Sequence, residues 1–306
     1  MRGAYIVELG AEPVPVEITG EGSFEIVAVA LNPLDLAVAA GRFAGGHPPL
    51  PYVPGCEAVG RRNGMRVHLF GDGRGTVKDG FLVERVEFPD ELIVPVPDGL
   101  DDAPAAACGI AGMAGWAPVA MRAPVRPDDR VLVLGATGMV GSIALQGARL
   151  LGAKRVVAAG RDEVKLRRAL ELGADATVTL DGDDLVARFR EACGGDGPTL
   201  VVDPVWGEPA RAAIEAAAPG ARIVQVGQSA AAEATLSSAA IRLKQLSILG
   251  YTDFALTHEQ RLEVYLGLAE HVIAGRIRID FETFPLGEVS TAWSAQQEGR
   301  KAVVVF

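Results

Sequence analysis

The sequence predicts an α/β protein in which a doubly wound parallel sheet, flanked by helices, is joined to a second, mainly β domain. Three observations carry this. Between residues 130 and 275, short β-branched runs alternate with helical patterns of about 10–15 residues, as repeated βαβ units do. Residues 1–118 instead show short alternating strands, many turns and little helix. The 306 residues, 49% hydrophobic and 22% charged, are enough for two cores and too apolar for a disordered chain.

Taken in order, Met1–Leu9 alternates like a strand and carries Glu8 in its only apolar run, which speaks against a signal peptide. Further strands are expected over Phe24–Ala30, Met65–Phe70, Gly80–Val83 and Glu91–Val96. Ala103–Met121 is uncharged and nearly long enough to cross a bilayer, but Ala and Gly dominate it and Pro104 and Pro118 interrupt it. No membrane span is expected there. Gly109, Gly112 and Gly115 point instead to a helix packed very closely against other protein.

Six strands then follow, at Arg130–Gly135, Arg155–Gly160, Ala176–Leu180, Thr199–Pro204, Arg222–Gly227 and Ser247–Tyr251. Helices are expected between and after them over Met139–Leu151, Glu163–Leu172, Asp184–Ala192, Glu208–Ala217 and His258–Ala274. Gly152, Gly173 and Gly275 stand where a left-handed residue closes a helix. Ala230–Ala240, rich in Ala and Ser, is expected as a loop along the ligand crevice. The tail Asp280–Phe306, with a strand over Lys301–Phe306, has the β character of the first domain. The expected domains are therefore 1–118 completed by 276–306, and 119–275.

With 39 acidic against 29 basic residues the formal charge is −10, and no basic cluster is present, so a nucleic-acid partner is not expected. Three dispersed cysteines, Cys56, Cys108 and Cys193, make no disulfide framework and suit a reducing, cytoplasmic location.

The strongest local signal is Gly135-Ala136-Thr137-Gly138-Met139-Val140-Gly141, at the junction of a buried strand and an amphipathic helix. In such a Rossmann turn Gly135 allows the tight bend, Gly138 lets backbone approach a pyrophosphate, and Gly141 lets the helix sit close to the sheet. N–H groups at the helix start face the anion. The second strand ends in Gly160-Arg161, with Lys165 one helical turn on, where a carboxylate would bind the ribose hydroxyl of NAD. Two cations there suit a 2′-phosphate, so NADP(H) is the expected cofactor. Asp162 offers an alternative carboxylate, or else an N-cap for the following helix; Arg161 and Lys165 have the alternative of being ordinary solvated charges.

Further motifs extend the picture: Leu31-Asn32-Pro33-Leu34-Asp35, the segment Leu50–Gly60 (LPYVPGCEAVG), Gly64–Val67, Val94–Gly99 and Phe284–Val289. In order and spacing, together with the glycine loop, they resemble the medium-chain dehydrogenase/reductase superfamily. Its zinc-free quinone oxidoreductase branch, which includes zeta-crystallin-like proteins, is the most similar. The likeness covers nearly the whole chain. It implies a GroES-like N-terminal domain completed by the C-terminal tail, and a nicotinamide held in the cleft between the two domains. It also implies that Gly227 and Gln228 line the nicotinamide end, and that a homodimer forms through the sixth strand of the parallel sheet, near Leu246–Gly250.

The alcohol dehydrogenase branch of that superfamily binds a catalytic zinc, but Asn32 stands at its first Cys and Cys56 at its His, and the structural-zinc cysteines are absent. Cys56, Cys108 and Glu57 are the only alternative donor set, and zinc independence is expected. The resemblance places Asn32 and Asp35 close to the nicotinamide and acceptor, and Tyr52 in the same segment set. An Asn32 amide could donate to a developing oxyanion; a turn start at Asn32-Pro33, a helix cap at Asp35 and packing at Tyr52 are the alternatives. None of His47, His68, His258 and His271 is persuasive as a general acid, which leaves the proton to solvent. The expected activity is NADPH-dependent, zinc-independent hydride transfer to a quinone or another α,β-unsaturated carbonyl of small size. The alternatives are a carbonyl or alcohol dehydrogenase of the same superfamily, and a non-catalytic NADP-binding protein.

Overall fold

In the computed structural model, which describes residues 1–306, the chain opens on β1 (Arg2–Tyr5), paired antiparallel with β2 (Val14–Glu17). β3 (Phe24–Ala30), α1 (Pro33–Ala39), β4 (Glu57–Arg62) and β5 (Met65–Phe70) follow. Gly80–Val83, expected as a strand, is not one. The N–H groups of Gly80 and Phe81 are bound by Val53 O and Gly55 O, the segment makes only an isolated antiparallel bridge, Val83 to Gly3, and a strand begins at β6 (Arg85–Val86). Glu91–Val96 likewise shortens to β7 (Val94–Pro95), because Asp90–Leu92 coil into a 3-10 turn ahead of it, whereas Val96 N–H still donates to Arg66 O at 3.0 Å.

The uncharged segment is a helix of several pieces, α2 (Asp102–Ala107) and α3 (Met113–Ala117), each followed by a wider π turn, with a break at Gly109 (φ −63°, ψ −125°). By length and composition Asp102–Arg122 could cross a membrane, but 72% of its apolar window is buried inside the protein. Close packing is the reason for its small residues: a Cβ on Gly115 would stand 2.6 Å from Val140 O and 2.8 Å from Ile143 Cβ.

The alternating region gives β8 (Arg130–Val133), α4 (Met139–Leu150), β9 (Arg155–Gly160), α5 (Glu163–Glu171), β10 (Ala176–Thr179) and α6 (Leu185–Ala192). It continues with β11 (Leu200–Asp203), α7 (Gly207–Ala216), β12 (Arg222–Gln225), α8 (Ser238–Lys244) and β13 (Ser247–Gly250). All six strands are parallel, in the order β10-β9-β8-β11-β12-β13, so the winding direction reverses between β8 and β11. This is the doubly wound sheet expected from the sequence. Val131, Leu132, Val133, Val201 and Val202 are fully buried, as they must be when helices cover both faces. Gly152, Gly173 and Gly275 take φ of +89°, +107° and +67°, the left-handed conformation expected at helix ends. Ala230–Ala240 is not all loop: its last residues begin α8, whose first turn is capped by the Ser237 hydroxyl accepting from Ala240 N–H at 3.3 Å.

α9 (His258–Ile273), β14 (Glu282–Pro285), α10 (Val289–Gln297) and β15 (Ala302–Val305) close the chain. β15 runs antiparallel to β3, Val304 opposite Val29, in a mixed sheet ordered β14-β15-β3-β4-β5-β7 with β6 also on β3. Contacts divide the chain into one unit of Met1–Ala111, Leu256–Ala274 and Ile279–Phe306, and another of Gly112–Ala255 with Gly275–Arg278. These bounds differ from the expected 118/119 and 275/276 chiefly in α9, which packs in the first unit. There the Tyr265 hydroxyl donates to Ala105 O at 2.9 Å and Arg261 donates to Phe70 O at 2.7 Å. Helical periodicity announces such a helix but not the core that receives it.

Candidate functional site

The glycine loop is built as the end of a buried strand turning into α4. Gly135 holds φ +60°, and a Cβ there would meet Val205 Cγ2 at 2.9 Å. Ala136 N–H donates to Ala159 O at 2.9 Å, tying the turn to β9. At Gly141 a Cβ would lie 2.3 Å from Gly135 O, so this glycine is needed for the helix to reach the turn at all. Gly138 differs: it is exposed, and its Cβ would meet only Gly135 O, at 3.6 Å. The first helical bond is Ser142 N–H to Gly138 O at 2.8 Å, so the N–H groups of Met139, Val140 and Gly141 have no acceptor within the helix. No acidic side chain occupies that turn. Thr137 lies against Gly160, where a Cβ would approach Thr137 Cγ2 to 2.9 Å. This constellation fits a pyrophosphate.

Beyond β9, Arg161 and Lys165 are exposed. Asp162 caps α5, one carboxylate oxygen accepting Val164 N–H at 2.8 Å and Lys165 N–H at 3.1 Å. Of its two readings the cap is the one observed. Gly227 and Gln228 follow β12. Gly227 N–H donates to Asp203 O at 3.3 Å, the Gln225 side-chain amide donates to Gly227 O at 2.9 Å, and Gln228 is exposed. The glycine loop, Gly160 and Gly227 thus gather at the carboxyl ends of β8, β9 and β12 in one unit.

Asn32, Asp35 and Tyr52 lie together in the other unit, each only 1% exposed. The Asn32 amide, which the sequence suggested could donate to a substrate oxygen, is engaged within the protein in this structure. Its amide N–H groups go to Ala30 O at 3.1 Å and Glu57 Oε1 at 2.8 Å, and its oxygen accepts from Lys301 Nζ at 2.7 Å, so no donor is left over. Asp35 joins α1 to the segment before β4: Oδ2 accepts Asn32 N–H at 2.7 Å and Oδ1 accepts Cys56 N–H at 2.9 Å. Its burial pushes the carboxyl pKa up to about 6 despite these bonds. The Tyr52 hydroxyl is buried without a partner, and burial holds its pKa well above the ordinary value.

The sequence offered Glu57 only as an alternative metal donor with Cys56 and Cys108; the structure places it at the centre of this cluster. Its Oε1 accepts from Asn32 and stands 3.9 Å from Lys301 Nζ; its Oε2 accepts Ile110 N–H at 2.5 Å and lies 3.0 Å from His68 Nε2. The His68 ring stacks on Tyr265 at 4.9 Å between centroids, and its Nδ1 is buried without a partner. A Cβ on Gly109 would lie 1.7 Å from Glu57 Oε2, so the helix break at Gly109 is what lets the carboxylate reach Ile110 N–H. Charged or polar residues inside apolar runs, Lys301 before Ala-Val-Val-Val and His68 in Val-His-Leu-Phe, were the available signal.

The donor set does not fit a catalytic zinc. No three His, Cys, Asp or Glu side chains gather to hold a metal ion. Burial pushes the Cys56 thiol well above its ordinary pKa and that of Cys108 up to about 12.

A pH dependence follows from Asp35. Burial raises its pKa from 3.8 to about 6, so the folded state prefers the neutral acid and loses stability as pH rises through 6. Asp35→Asn should therefore gain on the wild type between about pH 4 and pH 7 by up to about 3 kcal/mol, read from urea unfolding across pH. A flat difference curve would contradict this.

A family model described as zinc-binding dehydrogenase matches residues 139–268. The chain is 27% identical over 291 residues to a phenolphthiocerol/phthiocerol polyketide synthase polypeptide of Mycobacterium tuberculosis, covering 90% of this chain but 13% of that protein. It spans only about that small share of the polyketide synthases it matches. With the quinone oxidoreductase of Lama guanicoe it shares 26% identity over 299 residues, 95% of this chain and 89% of that one. Two solved structures align over 100% of both chains. One is a quinone oxidoreductase from Thermus thermophilus, reported also in complex with NADPH (27% identity, TM-score 0.81); the other is an NAD-dependent alcohol dehydrogenase (28%, TM-score 0.84).

Proposed function

We propose that this chain, an oxidoreductase belonging to the medium-chain dehydrogenase/reductase superfamily on its quinone oxidoreductase branch, transfers hydride from NADPH, without zinc, to a quinone or another α,β-unsaturated carbonyl. The observation that carries the coenzyme choice is at the end of β9. One oxygen of Asp162 is engaged in the cap of α5, and Arg161 and Lys165 offer two exposed cations there, alongside the exposed Glu163. The bound coenzyme supplies the hydride. The Met139, Val140 and Gly141 N–H groups bind its pyrophosphate, Arg161 and Lys165 its 2′-phosphate, and Gly227 and Gln228 flank its nicotinamide end. Asn32, Asp35 and Tyr52 act on this reading through packing and fixed backbone rather than by touching the acceptor. With no protein donor identified for the oxygen that gains charge, an acceptor whose conjugation spreads that charge is favoured, and solvent supplies the proton.

Steady-state oxidation of NADPH with a panel of quinones and enones tests the reading. Turnover insensitive to a chelator is expected, whereas inhibition by chelator would favour a zinc alcohol dehydrogenase. Coenzyme binding without acceptor-dependent turnover would favour a non-catalytic protein. Arg161→Ala should weaken NADPH about 10–100-fold and NADH little, because only the former loses a charge-assisted phosphate contact; equal losses would reject the phosphate assignment. The reading extends to a homodimer through β13, an edge strand carrying Ile248, 37% exposed. Light scattering at monomer mass would remove that part.

A further inference from the structure

β11 ends in Asp203, whose side chain is wholly buried. Its Oδ1 accepts two consecutive backbone N–H groups, Val205 at 2.9 Å and Trp206 at 2.8 Å. Its Oδ2 is buried without any partner. Trp206 has φ +60° and ψ −165°, a conformation proper to glycine, and Gly207 follows with φ +67°. A tryptophan held there needs something to hold it, and the doubly accepting carboxylate oxygen is the restraint in contact with its N–H.

The turn so held touches both halves of the dinucleotide cradle. Val205 Cγ2 would be 2.9 Å from a Cβ on Gly135, the first glycine of the loop. Pro204 O would be 2.9 Å from a Cβ on Gly227 and accepts Ser229 N–H at 3.3 Å, while Val205 O accepts Ala230 N–H at 2.9 Å. The carbonyls that seat Gly227–Ala230 therefore belong to the residues Asp203 restrains.

We propose that Asp203 is a positioning residue for the reactive-ring end of the coenzyme site, clamping Pro204–Gly207 in a glycine-like turn on which Gly135 and Gly227–Ala230 rest. This rests on the reading that Gly227 and Gln228 flank the nicotinamide. The clamp acts by overcoming the aversion of Trp206 to its backbone conformation, so its importance should vanish when residue 206 is glycine.

A double-mutant cycle of Asp203→Ala and Trp206→Gly tests this, read by NADPH titration and by amide hydrogen exchange over 226–231. In the Trp206 background, D203A should weaken NADPH by about tenfold or more and speed exchange at 226–231. In the W206G background the same change should cost about threefold or less, the common loss of the indole cancelling in the cycle. D203N, whose amide oxygen still accepts both N–H groups, should stay close to the wild type. Equal losses in both backgrounds would overturn the clamp. If D203A fails to fold, recovery of folding in D203A/W206G supports it, and failure of both overturns it. A wild type that does not bind NADPH, with exchange still coupled between the two positions, would sink the coenzyme reading while leaving the clamp standing.

Discussion

Glu57→Ala is expected to lower folding stability by about 3–5 kcal/mol, the range typical of breaking one side of a buried ionic network. The carboxylate meets four groups, the Asn32 amide, Ile110 N–H, His68 Nε2 and the Lys301 ammonium, all within the first unit. Truncation strands a cation on Lys301 that is only 7% exposed, and its remaining bonds to Leu31 O and Asn32 Oδ1 carry no compensating charge. Desolvation already pulls the Lys301 pKa down, and Glu57 is the largest influence in the opposite direction. Gly109→Ala should be damaging for the same reason, approached from the other side, since its methyl would need the space of Glu57 Oε2 and would also come within 2.4 Å of His68 Nε2. Urea unfolding of both variants measures this. Losses under about 1 kcal/mol would mean that the network relaxes easily and does not hold the unit together.

The second large effect separates two glycines of one loop. Gly138→Leu is expected to leave unfolding stability within about 0.5 kcal/mol, because φ −93° suits any residue and only Gly135 O, at 3.6 Å, lies near its Cβ. It should nevertheless weaken NADPH about 100-fold or more, since the side chain stands beside the free N–H groups at the start of α4. Gly141→Ala should do the reverse in kind: its Cβ would press on Gly135 O at 2.3 Å and Ala136 Cα at 2.7 Å, both backbone, costing about 2–4 kcal/mol of stability. Thermal unfolding and coenzyme titration on the same samples distinguish the two. Undiminished affinity in Gly138→Leu would remove the loop from the site.

The parallel sheet and its glycine loop were legible because both are written locally. A buried β-branched run, a turn that needs φ > 0 and an amphipathic helix occupy consecutive residues, as in Arg130–Leu150. The role of Asp162 was posed by the sequence as a choice between cap and ribose ligand, and only the bonds to Val164 and Lys165 decide for the cap. What stayed hidden depends on residues far apart in sequence. Asn32 looks available until Lys301, 269 residues away, takes its oxygen and Glu57 its amide hydrogen. α9 carries an ordinary helical pattern, but its partners are His68, Phe70 and Ala105. Gly80–Val83 has strand composition, but acceptors at Val53 and Gly55 take its first N–H groups and leave it a single bridge, Val83 to Gly3.

The position of Lys301 bears on the order in which a ribosome can complete this protein. The parallel-sheet unit is nearly continuous, Gly112–Ala255, and can assemble as it emerges. The other unit must wait: β3 meets β15, and Glu57 meets its ammonium partner, only after residue 301 has been translated. Nascent chains halted before that codon would carry a preformed parallel-sheet unit and an incomplete first unit whose Glu57 lacks its ammonium partner, and should be selectively cut by proteases within the first hundred residues.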